Sequence, residues 1–575
     1  MLKLLRLMKP YGLWVALAVL LIFLQAMSEL YLPTLMADMV DHGVIEGDTP
    51  YIWRIGGFML LVAAVGALCA VGGSYFSARA SGAFARDLRS RVFAHVEQFS
   101  LHEFDKMGTS SLITRTTNDI TQVYQVLNVM MRVMVMAPLM CIGGIVMAVS
   151  KDAKLALVLI SVVPVLAGFI AFIFWKGGPL FRSIQTKVDR LSLVLREHLT
   201  GIRVIRAFNR TERELQRFTE ANGDLTDTAI RMNRMMAVIM PFNLLALNLA
   251  CVLIIWFGGI RIEGGHMQVG DLIAFIQYGW QIMFALVFAS MMLAMLPRAM
   301  ASAARITEVL EMKPELTDTK EVADPPLALA SVEFRHVSFY YPGAEMPALS
   351  DISFRANPGE VTAIIGGTGS GKSTMMNLIP RFYDVSDGQV LVGGVDVREL
   401  PQAKLRSMIG LVPQKALLFT GTIADNIRFG NERASHEEIR RIAAVAQAEN
   451  FIDELTDGYD APVTQGGTNL SGGQKQRLSI ARALARKPEI YLFDDSFSAL
   501  DFKTDAKLRA ALREETKESV VLIVAQRVST VMEADQIIVL EEGRMAGIGT
   551  HRELLQSNRV YREIVASQLS EEEIA

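Results

Sequence analysis

Nine consecutive residues, Gly366-Gly367-Thr368-Gly369-Ser370-Gly371-Lys372-Ser373-Thr374, carry the spacing G-x-x-x-x-G-K-S. Glycines at these positions let the main chain curl until several N–H groups face one anion. The start of a following helix adds the positive end of its dipole. In that setting Lys372 reaches the β- and γ-phosphates of a nucleotide, and Ser373 offers its hydroxyl to Mg²⁺. A second centre is Asp494-Asp495, which closes the apolar run 490–493. An acid at the carboxyl end of a buried strand is placed to hold the same Mg²⁺, and Asp494 takes that role. The positioning elements are legible around the loop. The apolar run 361–365 reads as a strand leading in, and an apolar helix leads out.

Between the two centres stands Leu470-Ser471-Gly472-Gly473-Gln474, which resembles the signature motif of ATP-binding cassette (ABC) proteins. Gln414, in Val412-Pro413-Gln414, resembles the Q-loop of that family, beside Mg²⁺ and the reacting phosphate. Ser498-Ala499-Leu500-Asp501 resembles the D-loop, with Ser498 and Asp501 at its ends. Tyr341, in Tyr340-Tyr341-Pro342-Gly343, resembles the aromatic residue that stacks on adenine. Phe104-Asp105-Lys106, Leu112-Ile113-Thr114-Arg115 and Gly201-Ile202-Arg203-Val204-Ile205-Arg206 extend the likeness to ABC exporters across the first half. The resemblance implies an all-α six-helix transmembrane domain followed by an α/β P-loop nucleotide-binding domain, the type IV ABC exporter architecture. It implies ATP and Mg²⁺ as cofactors. It also implies a second half-transporter as partner, because each ATP lies between one chain's phosphate loop and the other chain's signature. Stretches near 107–114 and 208–213 would be the coupling helices.

The chain departs from the family pattern at its catalytic positions. The residue after the Mg²⁺ acid is normally Glu, which orients the attacking water; here it is Asp495, one methylene shorter. The switch position, normally His, is Gln526, which can bond a phosphate but carries no positive charge. Gln465, before the signature, stands where exporters commonly have Glu. Loss of both catalytic groups with the ATP-binding residues intact resembles the degenerate-site subunit of bacterial heterodimeric ABC multidrug exporters. The partner would then be a different chain carrying Glu and His. The alternative is a homodimeric exporter of a dedicated lipid or peptide, in which Asp495 and Gln526 suffice.

Apolar residues make up 51% of the 575, and charged residues 20%. The apolar excess sits in the first 300 residues. Six stretches there reach the roughly 20 residues that a membrane-crossing helix needs: 11–36, 55–77, 127–148, 155–176, 236–260 and 272–297. The segment 37–53 has no Lys or Arg, whereas 78–126 and 177–235 are rich in Arg. Positive charge stays inside, which puts both long loops and both termini in the cytosol and makes this a multi-pass protein of the cell membrane. Helical spacing through Leu191, Val194, Leu195, Leu199, Ile202 and Ile205 predicts that the spans continue as long cytosolic helices. The predicted domains are 1–311 in the membrane with its extensions, a linker over 312–330 marked by Pro314 and Pro325-Pro326, and a cassette over 331–575.

Ionisable groups within spans usually face an interior. Glu29 and Arg132 are therefore candidates for a gate or substrate path, with a structural role as the alternative. Gln277 and Gln281 share a face of the sixth span, and Asn243 and Asn248 fall in the fifth; these line a polar cavity or bond helix to helix. Asp41 is either part of an outer gate or, more simply, a solvated loop acid. The 30 methionines include 23 before residue 301, a surface chemistry that suits varied lipophilic ligands but also fills ordinary cores. A net charge of −3 gives no reason to expect nucleic acid, and Cys69, Cys141 and Cys251 have no metal-ligand spacing. The reading is thus a subunit of an ATP-driven exporter of lipophilic small molecules across the bilayer.

Overall fold

The computed structural model describes residue 4 and residues 6–318 and 330–569, so Pro325-Pro326 and most of the expected linker lie outside the described residues. These residues fall into two compact units: Met1–Glu97 with Thr109–Lys313, and Gln98–Gly108 with Pro314–Ala575.

Among its described residues the first unit contains six helical stretches long and apolar enough to cross a membrane: Arg6–Val44, Thr49–Val96, Thr109–Lys151, Ala153–Thr200, Thr211–Glu263 and Val269–Glu311. A 48-residue stretch such as Ala153–Thr200 is roughly 72 Å long at the α-helical rise, more than twice a bilayer core. The surplus is the helical extension expected from the apolar spacing through Leu191, Val194, Leu195 and Leu199, although the helix ends at Thr200, before Ile202 and Ile205. Local chemistry sets the boundaries. Asp48 caps the second stretch by accepting from Tyr51 N at 3.1 Å, and Asp152 caps the fourth by accepting from Leu155 N at 2.8 Å. Arg261 Nε also donates to Asp152, at 2.7 Å, which ties the fourth stretch to the fifth. Buried Asp119 accepts from Ser302 Oγ at 2.9 Å and Arg305 Nε at 2.7 Å, which fastens the third stretch to the sixth. Of the two regions expected to couple, the one near 107–114 contains the short helix Thr109–Thr114 after a helix break at Gly108, whereas 208–213 is the turn between the short helix Ile202–Ala207 and the helix Thr211–Ala237.

Asp41 requires a correction. It is not a solvated loop acid: the first helix runs on into the turn Met39–Val44, and Asp41 is only 7% exposed there. Its Oδ1 accepts from Gly270 N at 2.7 Å. The cause is a close approach. A Cβ on Gly270 would lie 2.2 Å from Ala37 O and 2.5 Å from Asp41 Oδ2, so only glycine lets the first and sixth stretches meet.

Among its described residues the cassette unit has twelve strands. They are β1 (Val332–Phe339), β2 (Leu349–Ala356), β3 (Val361–Gly366), β4 (Asp387–Val392), β5 (Val395–Asp396), β6 (Ile409–Val412), β7 (Gly421–Thr422), β8 (Pro462–Val463), β9 (Ile490–Asp494), β10 (Val520–Val524), β11 (Gln536–Glu541) and β12 (Arg544–Gly549). The main sheet has the order β12-β11-β3-β10-β9-β6, parallel from β11 to β6. A four-stranded antiparallel sheet, β2-β1-β4-β5, stands apart from it. β9 and β10 are buried along their whole length, as strands covered on both faces must be. This order sets β3 next to β10 and β10 next to β9. The carboxyl ends of all three strands therefore open onto one edge, where ligands bind in α/β sheets.

Candidate functional site

The phosphate loop leaves β3 and enters the helix Lys372–Leu378. Two glycines are dictated by geometry. A Cβ on Gly366 would lie 2.2 Å from Leu540 O, and Gly371 turns the chain with φ +96. Lys372 is buried, and its Nζ donates to Gly366 O at 2.9 Å, Gly367 O at 2.6 Å and Ser370 Oγ at 3.4 Å. Burial pushes its ammonium below the ordinary lysine range, with Asp495 and Asp494 opposing. Carbonyl dipoles are poor substitutes for a full counter-charge, so the loop carries a cation in want of an anion.

At the end of β9, Asp494 Oδ1 accepts from Ser373 Oγ at 3.1 Å. Desolvation pushes the Asp494 carboxyl up, against the Ser373 hydrogen bond. Ser373 and Asp494 bring hard oxygen donors together, which fits Mg²⁺. Bound there with ATP, Mg²⁺ neutralises charge on the β- and γ-phosphates. Tyr341 lies at the same loop: its hydroxyl is 3.0 Å from Thr374 Oγ1, and its ring meets Tyr383 edge-on at 5.7 Å. Tyr383 in turn donates to Asp105 Oδ2 at 3.1 Å, which connects the Phe104-Asp105-Lys106 segment to the aromatic beside the loop.

Asp495 is held from two sides. Its Oδ2 accepts from Gln526 Nε2 at 2.9 Å and from Gln414 Nε2 at 3.3 Å. The three residues that the sequence singled out for catalysis are thus joined through one carboxylate oxygen. Asp495 also adopts φ +47, the left-handed region that Asp tolerates better than most residues. Ser498 of the D-loop donates to Asp495 O at 3.0 Å, while Asp501 caps the helix Phe502–Glu515. The signature Ser471 caps the helix Gly472–Ala485, with Gln474 Oε1 accepting from Ser471 N at 2.8 Å to complete a capping box. Leu470 is partly buried against the core beneath, whereas Ser471 and Gly472 are exposed at the helix start. Gln465 is exposed in a tight turn before it.

Two neighbours of the switch carry no motif. Arg527 Nη2 donates to Ser498 O at 3.0 Å, so the switch braces the D-loop. Gln568, near the end of the last described helix, brackets the switch main chain. Its Nε2 donates to Gln526 O and its Oε1 accepts from Val528 N, both at 2.8 Å. Gln568→Ala is expected to speed hydrogen exchange at Val528 N about tenfold, the loss of roughly 1.4 kcal/mol of hydrogen bonding. Gln568→Glu keeps the acceptor and should keep most of that protection, as amide-resolved exchange measurements would show.

In the membrane unit, Glu29, Arg132 and Gln281 all line one cavity of about 530 Å³. Gln277 and Asp41 do not line it. Asn243 is buried with its amide unpartnered among the described residues, and Asn248 is exposed.

Comparison with known proteins agrees with both units. Residues 15–302 match the family model for the ABC transporter transmembrane region, and residues 349–498 match the model for the ABC transporter. An uncharacterised ABC transporter ATP-binding protein of Mycobacterium tuberculosis is 45% identical over 97% of this chain and 97% of its own length. The ATP-dependent lipid A-core flippase of Pseudomonas aeruginosa is 33% identical over 91% of this chain and 87% of its own. The structure of a bacterial Atm1-family ABC exporter with ATP bound superposes with a TM-score of 0.82 at 26% identity, covering 97% of this chain and 98% of that one. ABC exporters act as dimers in the lipid bilayer, and their cassettes hydrolyse ATP with Mg²⁺ to drive transport. With six helices apolar enough to cross a membrane and a cassette in one polypeptide, the chain belongs to the ABC exporters as a half-transporter.

Proposed function

We propose that this chain is the ATP-binding but hydrolytically impaired subunit of a heterodimeric exporter of lipophilic compounds. The observation that carries this reading is the state of Asp495, whose shortened carboxylate is engaged by the amides of Gln414 and Gln526. Neither amide can take up or release a proton at the reaction centre, and an aspartate reaches one methylene less far than a glutamate. Lys372, Ser373, Asp494 and Tyr341 remain placed to hold Mg²⁺ and ATP. The signature from Leu470 to Gln474 would complete a competent site on a different chain bearing Glu and His. Residues 1–311 and 331–575 are the corresponding membrane and motor domains, with both termini and the helical extensions on the cytosolic side.

The test is steady-state ATP hydrolysis by the chain purified alone in lipid, after nucleotide binding has been verified. Turnover near background alongside good binding is expected. Brisk turnover abolished by Lys372→Ala would overturn the proposal in favour of a working homodimer. That second reading draws on the likeness to the lipid A-core flippase, and it would make a dedicated lipid the cargo.

A further inference from the structure

The cavity of the membrane unit has an uneven distribution of charge. Its walls come from three stretches, Arg6–Val44, Thr109–Lys151 and Val269–Glu311, and most of the lining is apolar. Polar groups divide by helix. The first stretch supplies Glu29, whose Oε1 accepts from Gln25 Nε2 at 2.9 Å. The sixth supplies Gln281, whose Nε2 donates to Glu29 O at 2.9 Å, leaving its Oε1 buried with no partner. Beside it Trp280 stacks on Phe284 with ring centroids 5.7 Å apart, and both line the cavity. This wall offers a carboxylate and aromatic faces, both of which attract a cation. The third stretch supplies Arg132, and among the described residues no hydrogen bond or ion pair engages it. Among the described residues no cation pairs with Glu29 either.

We propose that this cavity takes single-chain zwitterionic amphiphiles, with the ligand's anionic group at Arg132 and its ammonium at Glu29 and Trp280. The inference rests on the reading of Glu29, Arg132 and Gln281 as part of the cargo path. An unpaired charge in an apolar surrounding is costly, and each class of ligand relieves a different share of that cost. A neutral lipophile leaves both charges unmatched. A cation leaves Arg132 unmatched, and an anion leaves Glu29. Only a ligand carrying both charges answers both walls. About 530 Å³ within this half-transporter accommodates a drug-sized molecule or one alkyl chain with its headgroup.

The experiment is photolabelling of the full-length protein in dodecylmaltoside with a photoactivatable alkylphosphocholine. Dodecylphosphocholine, dodecyl phosphate and dodecyltrimethylammonium serve as competitors. Labelling is expected in peptides spanning 129–140 and 280–288, with half-competition by the zwitterion at a concentration about tenfold lower than by either singly charged analogue. Arg132→Gln should bring the zwitterion down to the level of the cation, and Glu29→Gln to the level of the anion. Arg132→Lys, which keeps the charge, should keep the preference. Equal competition by all three in the unsubstituted protein overturns the zwitterion proposal, as does a preference untouched by either neutralising substitution. Absence of label from the cavity peptides, in protein whose cassette still takes up a photoactivatable ATP analogue, overturns the cargo-path reading itself.

Discussion

Asp495→Glu combined with Gln526→His is expected to raise ATP turnover of the chain assayed alone in lipid by about two orders of magnitude or more. The present arrangement shows why both changes are needed. Asp495 Oδ2 receives one hydrogen bond from Gln526 at 2.9 Å and a longer one from Gln414 at 3.3 Å. Glutamate alone would extend the carboxylate by a methylene, yet leave an uncharged amide at the switch. Histidine alone would supply a group able to carry charge at the γ-phosphate, with no carboxylate long enough to orient the water. The pair supplies both functions, so its effect should exceed the sum of the single changes, as for groups that act as one unit. A cost accompanies the gain. Residue 495 has φ +47, and glutamate tolerates this less well than aspartate, so about 1 kcal/mol of stability should be lost. Single-turnover and steady-state assays on the two single variants and the double variant decide the matter. No gain in the double variant, with nucleotide binding retained, would mean that Asp495 and Gln526 do not limit this site.

Much of the cassette was legible because its chemistry is local in sequence. The phosphate loop needs glycines where the chain curls, and Gly366 and Gly371 are fixed by a 2.2 Å approach to Leu540 O and by a positive φ. The weak acid and the missing histidine were likewise readable as residues in motif positions. What joins them was not. Gln414, Asp495 and Gln526 are far apart in the chain and meet only because β9 lies between β10 and β6. Gln568 has no motif at all, since any residue with an amide at that point of the turn after the helix Arg559–Ala566 would bracket the switch. In the membrane unit the spans followed from hydropathy, but the environment of a single polar residue did not. Asp41 reads as a loop acid until the helix is seen to continue past it and Gly270 to press against it. Gln277 and Gln281 share a helical face by spacing, yet one turn along the axis separates a residue at the cavity from one outside it.

The signature helix allows a prediction that separates this chain's two roles. In the assembled transporter, Ser471→Ala should lower ATP hydrolysis about a hundredfold or more, while ATP binding at this chain's own phosphate loop stays unchanged. The serine has two duties. As the N-cap of Gly472–Ala485 it stabilises the helix, a contribution of about 1 kcal/mol. As the exposed hydroxyl at the positive end of that helix, it would donate to the phosphate held by the partner. Ser471→Asp distinguishes them. Aspartate caps a helix as well as serine does, so the melting temperature should hold; its negative charge beside the γ-phosphate should nevertheless abolish turnover. Gly472 adds a steric check, because a Cβ built there meets nothing within 4 Å in this chain. Gly472→Ala should therefore leave folding nearly intact and reduce turnover only if a partner's nucleotide occupies that space. Lys372→Ala in this chain is the counterpart, removing ATP from its own loop while the partner's competent site keeps its signature. If the transporter is heterodimeric, Ser471→Asp must then damage hydrolysis more deeply than Lys372→Ala, measured as kcat at saturating ATP. Equal damage from both would indicate two equivalent sites, and with them a homodimer.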